Sequence, residues 1–524
     1  MNAAGLCGRI IDARALALGL IFCVPLAALA APWSQYRGSD HNGISTDRIV
    51  KQWTGSVTNP VWRVALTNGL GSVVVDDRRV FTLARRLVAG QDKEICVALN
   101  ITNGVEQWAT TVDDADYPHG GVGFDDGPRS TPAVDGGSVY VLSSYLKLLR
   151  LNATNGSVIW SNDLVSLYGS EVIPWQNAAS PVIENGLIFL NANTNLANPM
   201  RTLFALRTSD GGVAWRSQVE QMTHASPTIA TIHGTRQVIF CTQDGLVSLA
   251  PDSGNLLWRT NFPFQYGTSI AVSPVVWNDL IFTGGAHAYV MGSIVVRASF
   301  SNDVWSVVRV WYTNNPATHW MTPVVRDGFL YGPFGIQFFD SVNAQLKCVD
   351  MRTGAVKWSV DNFGRGATLL VDDHLVTITE RGQLVLARPT TNAYTELGRF
   401  TAITGYHDFT NKCWNAPAVA DGRIFVRSTS FVACFDLSIP ALKLDAPQFS
   451  PGGVDLSIRT VTGAPVASNR LSGMEVRATG NPELAVAQWS KLTNSLVLTG
   501  GVVRVTNAAS ATATQRFFIV SEPQ

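Results

Sequence analysis

The sequence predicts an all-β protein: an eight-bladed β-propeller whose mixed last blade is closed by the N-terminal strand, followed by a small C-terminal β-sandwich. Three observations carry this reading. A strand ending in tryptophan recurs through most of the chain, roughly every 40–55 residues, the period of four-stranded blades. A second strand pair, opened in most copies by Ser/Thr/Ala-Pro-x-Val, lies between successive tryptophans. Apolar periodicity of 3.6 residues, which a helical solenoid requires, is almost missing beyond the N-terminal segment.

That segment reads as an export signal. Arg9 and Arg14 precede an apolar run from Ala15 to Ala30, broken by Pro25 and closed by Ala28-Leu29-Ala30, the small-x-small pattern of signal peptidase. At about 16 residues the run falls short of the roughly 20 that span a bilayer. Cys23 follows Phe22 rather than a small residue, so no lipid anchor is expected. The reading is a signal peptide over 1–30, an N-terminal strap over 31–56, a propeller over 57–440 and a C-terminal β domain over 443–524. The product is exported to the periplasm or beyond, with no transmembrane segment after cleavage.

The tryptophan signature reads LNITNGVEQW to Trp108, LNATNGSVIW to Trp160, LRTSDGGVAW to Trp215, LAPDSGNLLW to Trp258 and VDMRTGAVKW to Trp358. Degenerate copies end at Trp311 and, with an aromatic substitute, at Phe400. The proline signature opens at Ser130, Ala179, Ala225, Val272, Met321 and Asn415, with proline-free copies at Ser72 and Ala367. Asn-Gly, Asp-Gly and Ser-Gly pairs supply tight hairpin turns. The eighth copy lacks its own tryptophan strand, while an orphan, Asn59-Pro60-Val61-Trp62-Arg63-Val64, stands upstream of the first. Placing it as the outer strand of the eighth blade pairs two otherwise exposed edges. Trp62, Trp108, Trp160, Trp215, Trp258, Trp311 and Trp358 are accordingly assigned a structural role, one large ring per blade packed on its neighbour.

The xLDxxTGxxxW pattern of these copies resembles the pyrroloquinoline-quinone (PQQ) repeat shared by quinoprotein alcohol dehydrogenases and the BamB-type outer-membrane assembly scaffold, over roughly 57–438. The lead-in Trp33-Ser34-Gln35-Tyr36-Arg37-Gly38, with Asn42-Gly43, resembles that of secreted bacterial PQQ-like propellers, and its aromatic and Arg side chains suit a strap over a blade edge. After about Leu442 the repeat stops. Alternating runs such as Val454–Ile458 and Leu496–Leu498, punctuated by Gly452-Gly453 and Gly500-Gly501, predict the small sandwich. The run from Trp489 to Val520 resembles a C-terminal module of other secreted bacterial proteins.

Composition narrows the function. Lys and Arg number 39 against 39 Asp and Glu, and charged residues make up 15%, below the roughly 25% of ordinary soluble domains. Such a chain lacks the basic footprint that nucleic acid demands. Outside the signal segment five cysteines remain: Cys96, Cys241, Cys348, Cys413 and Cys434. Most sit inside apolar strand-like runs, as small buried hydrophobes do; Cys413–Cys434, within one predicted blade, is the pair best placed to join. With no CxxC, zinc ribbons and covalent haem are unsupported.

Propeller ligands gather on the loops that link each tryptophan strand to the next innermost strand. Here these are 63–71, 109–129, 161–179, 216–225, 259–272, 312–321, 359–367 and 401–415. They carry His119, Asp125, Asp126, Arg129, Trp175, Gln176, Asn177, His224, His319, Trp320, Arg365, His407, Asp408, Trp414 and Asn415. Aromatic rings beside amides, arginines and carboxylates suit a flat polar ligand or a partner peptide. The four histidines lie on different blades without HxH or HExxH spacing, so no metal site is expected. Gly120-Gly121-Val122-Gly123 lacks the Lys-Ser/Thr and helix of a phosphate cradle, and no catalytic nucleophile is assigned.

Two functions follow. The first is an exported, non-catalytic, monomeric scaffold that binds a protein partner or small ligand through this loop face, without a cofactor. The alternative, implied by the resemblance, is a PQQ- and calcium-dependent dehydrogenase of an alcohol or sugar. Against it stand the lack of the adjacent Cys-Cys and of a haem domain; fold alone confers neither function.

Overall fold

The computed structural model describes residues 33–117, 126–194, 196–262, 270–285, 292–335, 344–405, 407, 410–509 and 516–522; the export signal, His119, Asp125 and Asp408 lie outside them. The described residues divide into two compact units, one within 30–438 and the other within 439–524. Both are β-structured.

Among the described residues of the first unit are eight sheets of four up-and-down strands, one for each sequence copy. The first runs Val74–Val75, Arg79–Val88, Gln91–Asn100 and Glu106–Asp114. Its innermost strand neighbours that of the second sheet, Ala133–Asp135, and that of the eighth, Ala418–Ala420. The eighth sheet is completed from the far end of the chain: Trp62–Ala65 pairs antiparallel with Phe431–Asp436, Trp62 opposite Cys434. The outer side of Phe431–Asp436 is thereby paired, and Trp62–Ala65 becomes the outermost strand of the eighth sheet.

The contacts between sheets explain the repeat. Six of the seven repeat tryptophans donate the indole N–H to a carbonyl in the turn of the following sheet: Trp62 to Ile101 at 2.9 Å, Trp108 to Ala153 at 3.1 Å, Trp160 to Thr208 at 3.2 Å and Trp215 to Pro251 at 2.7 Å. Trp311 and Trp358 repeat this with Met351 and Thr390. The turn glycine lies directly on the donor's ring. A Cβ on Gly104 would stand 2.6 Å from Trp62, and one on Gly254 2.6 Å from Trp215. Both glycines also hold positive φ, 72° and 70°, so space and backbone conformation demand the same residue. Trp258 departs from the pattern. The fifth sheet has a long hairpin, Gly292–Ser301 and Val304–Thr313, in place of the Thr-Gly turn, and Trp258 bonds Gln237 Oε1 of its own sheet at 2.8 Å. At the seventh position Phe400 packs edge-on against Phe435, centroids 5.1 Å apart.

The residue before the signature proline ties the inner strands together. The N–H of Ser72 donates to Thr131 Oγ1, Thr131 to Ser180 Oγ, Ser180 to Ser226 Oγ, each at 2.9 Å, and Ser273 to Thr322 Oγ1 at 3.2 Å. A hydroxyl there satisfies a backbone donor on the neighbouring sheet that the short inner strand leaves unpaired.

The N-terminal strap covers blade edges, as the sequence suggests, and the edges it covers are the inner ones, on the innermost strands. Val75 and Val134 donate N–H to the carbonyls of Trp33 and Ser34. Gln35 exchanges a reciprocal pair with Ile183, at 2.9 and 2.7 Å. Two residues on, Arg37 donates to the carbonyls of Thr322 and Pro323. Ile44–Ser45 adds a parallel strand to the seventh sheet, and Asp47 accepts from Gly422 N–H in the eighth. Gln35 and Arg37 thus reach the third and the sixth sheets from adjacent turns of chain, so the strap crosses the axis. It does so near the inner hairpin turns, the end opposite the long loops.

The second unit has a sheet built on Gly453–Thr460 and Val502–Ala509 and a three-stranded sheet built on Glu475–Thr479 and Phe517–Ser521. Leu456, Ile458, Val503 and Val505 are fully buried in its core. Cys96, Cys241, Cys348, Cys413 and Cys434 are all free and buried. Cys413 and Cys434 are therefore not joined: Cys413 Sγ instead donates to the Arg427 carbonyl at 3.1 Å.

Candidate functional site

The loops at the end opposite the strap draw sequence-distant candidates together. Buried Asp126 accepts from Lys412 Nζ at 2.5 Å and from Arg129 Nη2 at 3.2 Å, and Arg129 Nη1 donates on to the Trp175 carbonyl at 3.2 Å. Lys412 belongs to the loop that enters the eighth sheet, and its ammonium stands 5.7 Å from the Trp414 ring centroid. On that ring also lies the Arg365 guanidinium, at 4.9 Å. The Trp320 ring stacks against Trp414 with centroids 5.4 Å apart and planes 30° apart. An indole face attracts cations through its quadrupole, so one tryptophan gathers two basic side chains and a second ring.

Glu380 fixes this group from beneath. It is fully buried and accepts from Arg365 Nε at 2.9 Å and from Trp414 Nε1 at 3.4 Å. The loop survey overlooked it, since it sits on a turn inside the seventh sheet; it overlooked Lys412 as well. A second unforeseen cluster joins the first two sheets. Buried Glu94 accepts from Tyr117 Oη at 2.6 Å and Ser144 N–H at 3.1 Å. Burial pushes its carboxyl up to about 7, against the opposing pull of those hydrogen bonds.

Trp175 and Gln176 both hold left-handed backbone, φ 66° and 55°, which costs a non-glycine residue about 1–2 kcal/mol. The segment is pinned all round: Gln176 N–H to Ile173, Asn177 N–H to Ser144 and the Gln176 carbonyl to His224 Nε2 at 2.7 Å. Asn177 is spent on this scaffold, its amide bonded to Ser143 and Ala179. Trp175 is left 49% exposed, whereas Gln176 is fully buried with neither side-chain polar atom partnered. Trp320 Nε1 and Asn415 Oδ1 are likewise buried and unpartnered; Asn415 spends its other atom on the Gly71 carbonyl at 2.6 Å. His407 is exposed and exchanges backbone hydrogen bonds with Thr410, and His319 stands half-buried beside Trp320. Among the described residues no three His, Cys, Asp or Glu side chains group to hold a metal ion, and no helix is long and apolar enough to cross a membrane.

Repeated four-stranded sheets, most of them locked to the next by a tryptophan, define a PQQ-like β-propeller protein. The family model described as outer membrane protein assembly factor BamB matches residues 92–360, just over half of the chain, and the chain belongs to that family. Two curated relatives carry the same description. The one from Moranella endobia (strain PCIT) is 22% identical over 278 residues, 50% of this chain and 65% of the relative. The one from Yersinia pestis is 23% identical over 273 residues, 49% of this chain and 64% of the relative. The match thus spans less than two thirds of either relative. Among solved structures, a quinohemoprotein alcohol dehydrogenase from Comamonas testosteroni aligns over 84% of both chains with a TM-score of 0.55 at 14% identity, a likeness of fold alone.

Proposed function

We propose that this protein is an exported, non-catalytic scaffold: its eight sheets form one closed eight-bladed ring, and the loop-bearing mouth binds a protein partner or a small ligand. One observation carries the reading. On that face Gln176, Trp320 and Asn415 keep buried polar atoms unpartnered beside an exposed Trp175. Each unmet group costs about 1–3 kcal/mol; closed to solvent as the loops stand, these atoms are met only where the loops part to admit a molecule with its own donors and acceptors. The family description, an assembly factor, agrees with a role in holding other proteins. The C-terminal β domain is read as a small sandwich that adds stability rather than chemistry.

The mouth suits a calcium-bound quinone poorly. Such a group needs carboxylates open to the metal, and the described ones are engaged: Asp126 by Lys412 and Arg129, Glu380 by Arg365 and Trp414. Two measurements test the proposal. Calorimetric titration with PQQ and Ca²⁺ is expected to give no heat; saturable binding near one equivalent overturns the scaffold reading. A photo-crosslinking amino acid at position 175 is expected to trap a defined partner in the native host, and one at exposed Ile159 on an outer strand is not. Equal labelling from both positions refutes the loop face as the binding surface.

A further inference from the structure

We propose that the outer edge of the fifth sheet docks a second copy of this chain, the two edge strands pairing antiparallel about Val307. The edge strand, Val304–Thr313, is bonded to Gly292–Ser301 on its inner side and ends the sheet. Of its ten residues seven are apolar or aromatic, and Arg309 alone is charged. Val304 and Val308 stand 64% and 59% exposed. Among the described residues the other outermost strands are guarded as edges usually are, by shortness or by charge. Six of them have four to six residues, and the seventh, Glu106–Asp114, carries three carboxylates.

The hairpin turn fixes which backbone groups face outward. Asn302 and Asp303 hold φ 50° and 61°, the two left-handed positions of a type I′ turn, so Ser301 and Val304 bond each other within the hairpin. By alternation Trp305, Val307 and Arg309 turn N–H and C=O away from the sheet, up to the bulge that follows Arg309. Ala298, opposite Val307, agrees: its N–H goes to the Asp279 carbonyl and its own carbonyl accepts from His233 Nε2 at 3.0 Å, both on the inner side. Among the described residues none bonds the outward groups of Trp305, Val307 and Arg309. The strand is nonetheless held in place. The Trp305 ring packs on Phe300, directly opposite, at 4.9 Å, and on His233 of the fourth sheet at 6.1 Å.

The chemistry of this edge fits itself. Centring on Val307 is the register that engages all three outward residues of both copies: Val307 faces its counterpart, and Trp305 faces Arg309 of the second copy, twice over. Each exposed guanidinium then lies beside an indole, which attracts it, and no like charges are opposed. Centring on Arg309 instead would set two cations against each other. On the opposite face Val308 of each copy covers Ser306 of the other. A foreign strand would have to bring the same length, the same lack of charge, and a ring and a cation at the same offset; a second copy brings them by symmetry. This dimer takes the place of the monomer that the sequence suggests.

Sedimentation equilibrium of the full chain between about 1 and about 100 μM should show a monomer–dimer equilibrium, weak because one strand edge buries less than the roughly 1,200 Å² of a standard interface. Ser306→Lys combined with Val308→Lys opposes like charges at two places and should weaken the dimer roughly tenfold. Ser306→Glu combined with Val308→Lys opposes unlike charges at the same two places and should restore it to within about threefold. Amide exchange gives a readout that needs no variant: the N–H groups of Trp305, Val307 and Arg309 should slow as concentration rises, while that of Ser306, bonded within the sheet, should not change. A chain that stays monomeric throughout, with those amides indifferent to concentration, overturns the proposal. So does a dimer that the two double variants weaken alike, or that neither weakens.

Discussion

The two ends of the propeller axis treat polar groups in opposite ways. At the strap end nearly every one is matched: Gln35 gives and takes a hydrogen bond with Ile183, Arg37 meets three carbonyls, and Asp47 meets Gly422. His41 Nδ1 and, at the first inner hairpin turn, Arg79 Nε are exceptions, and burial drives the His41 ring down to about 4. At the loop end the amide of Gln176, the indole N–H of Trp320 and the amide oxygen of Asn415 are buried and unmet, and the Trp175–Gln176 segment also spends backbone strain. A matched end serves stability, and the proposed binding role assigns the unmet donors and acceptors of the other end to function. Mutations should separate the two.

The largest loss is expected at the strap. Arg37→Ala removes a buried cation and strands the carbonyls of Thr322 and Pro323, and should cost about 3–5 kcal/mol in chemical denaturation. A loss below 1 kcal/mol would show that the strap is an ornament, and the contrast between the ends would fail. Next come the ring contacts. Trp215→Ala opens a cavity under Gly254 and frees the Pro251 carbonyl, at about 3–5 kcal/mol. Trp258→Phe should cost less than Trp215→Phe, because Gln237 Oε1 keeps a hydrogen bond from Ser248 Oγ at 2.7 Å.

A smaller effect is tied to pH. Burial raises the Glu94 carboxyl from its ordinary 4.5 to about 7, so the folded state binds more protons than the unfolded one between those values. Its contribution is fully present below about 4.5 and declines as pH rises toward 7, by about 3 kcal/mol in all. Glu94→Gln keeps acceptors for Tyr117 and Ser144 and cannot ionise, so its stability should be flatter over this window. A variant that follows the wild-type curve would place the titrating group elsewhere.

Much of this architecture was legible because the repeat writes it once per sheet. Trp, turn glycine and the residue before proline recur at fixed places, and each meets its counterpart on the next sheet, so local spacing carries the long-range contact. The loop face has no such redundancy. Lys412 and Asp126 are 286 positions apart, and no pattern pairs them. Glu380 sits on a turn inside a sheet, where charged residues read as solvated. The helix Leu164–Tyr168 left a faint trace, an Asp163 cap accepting from Val165 and Ser166 and a left-handed Gly169, too short for periodicity to register. The strap was legible as a segment that covers blade edges, while its composition does not say which edges it bonds.

The least disruptive substitution is the sharpest on function. Trp175 is half-exposed, and what holds it in place is its backbone: the carbonyl to Arg129 and the neighbouring Gln176 carbonyl to His224. Trp175→Ala leaves those bonds in place, so its stability should change by less than about 0.5 kcal/mol. Binding at the mouth should nonetheless weaken at least tenfold, as exposed tryptophans beside buried polar groups anchor interfaces. Gln176→Leu removes the two unmet polar atoms at nearly constant size and should leave the fold as stable or more so, yet lose binding as well. A molecule that is stabler and blind at one end, while Arg37→Ala makes it weaker and still competent wherever it folds, would establish the division of labour along the axis. If Gln176→Leu destabilises the fold, a structural partner meets that amide, and the loop end is merely another closed face.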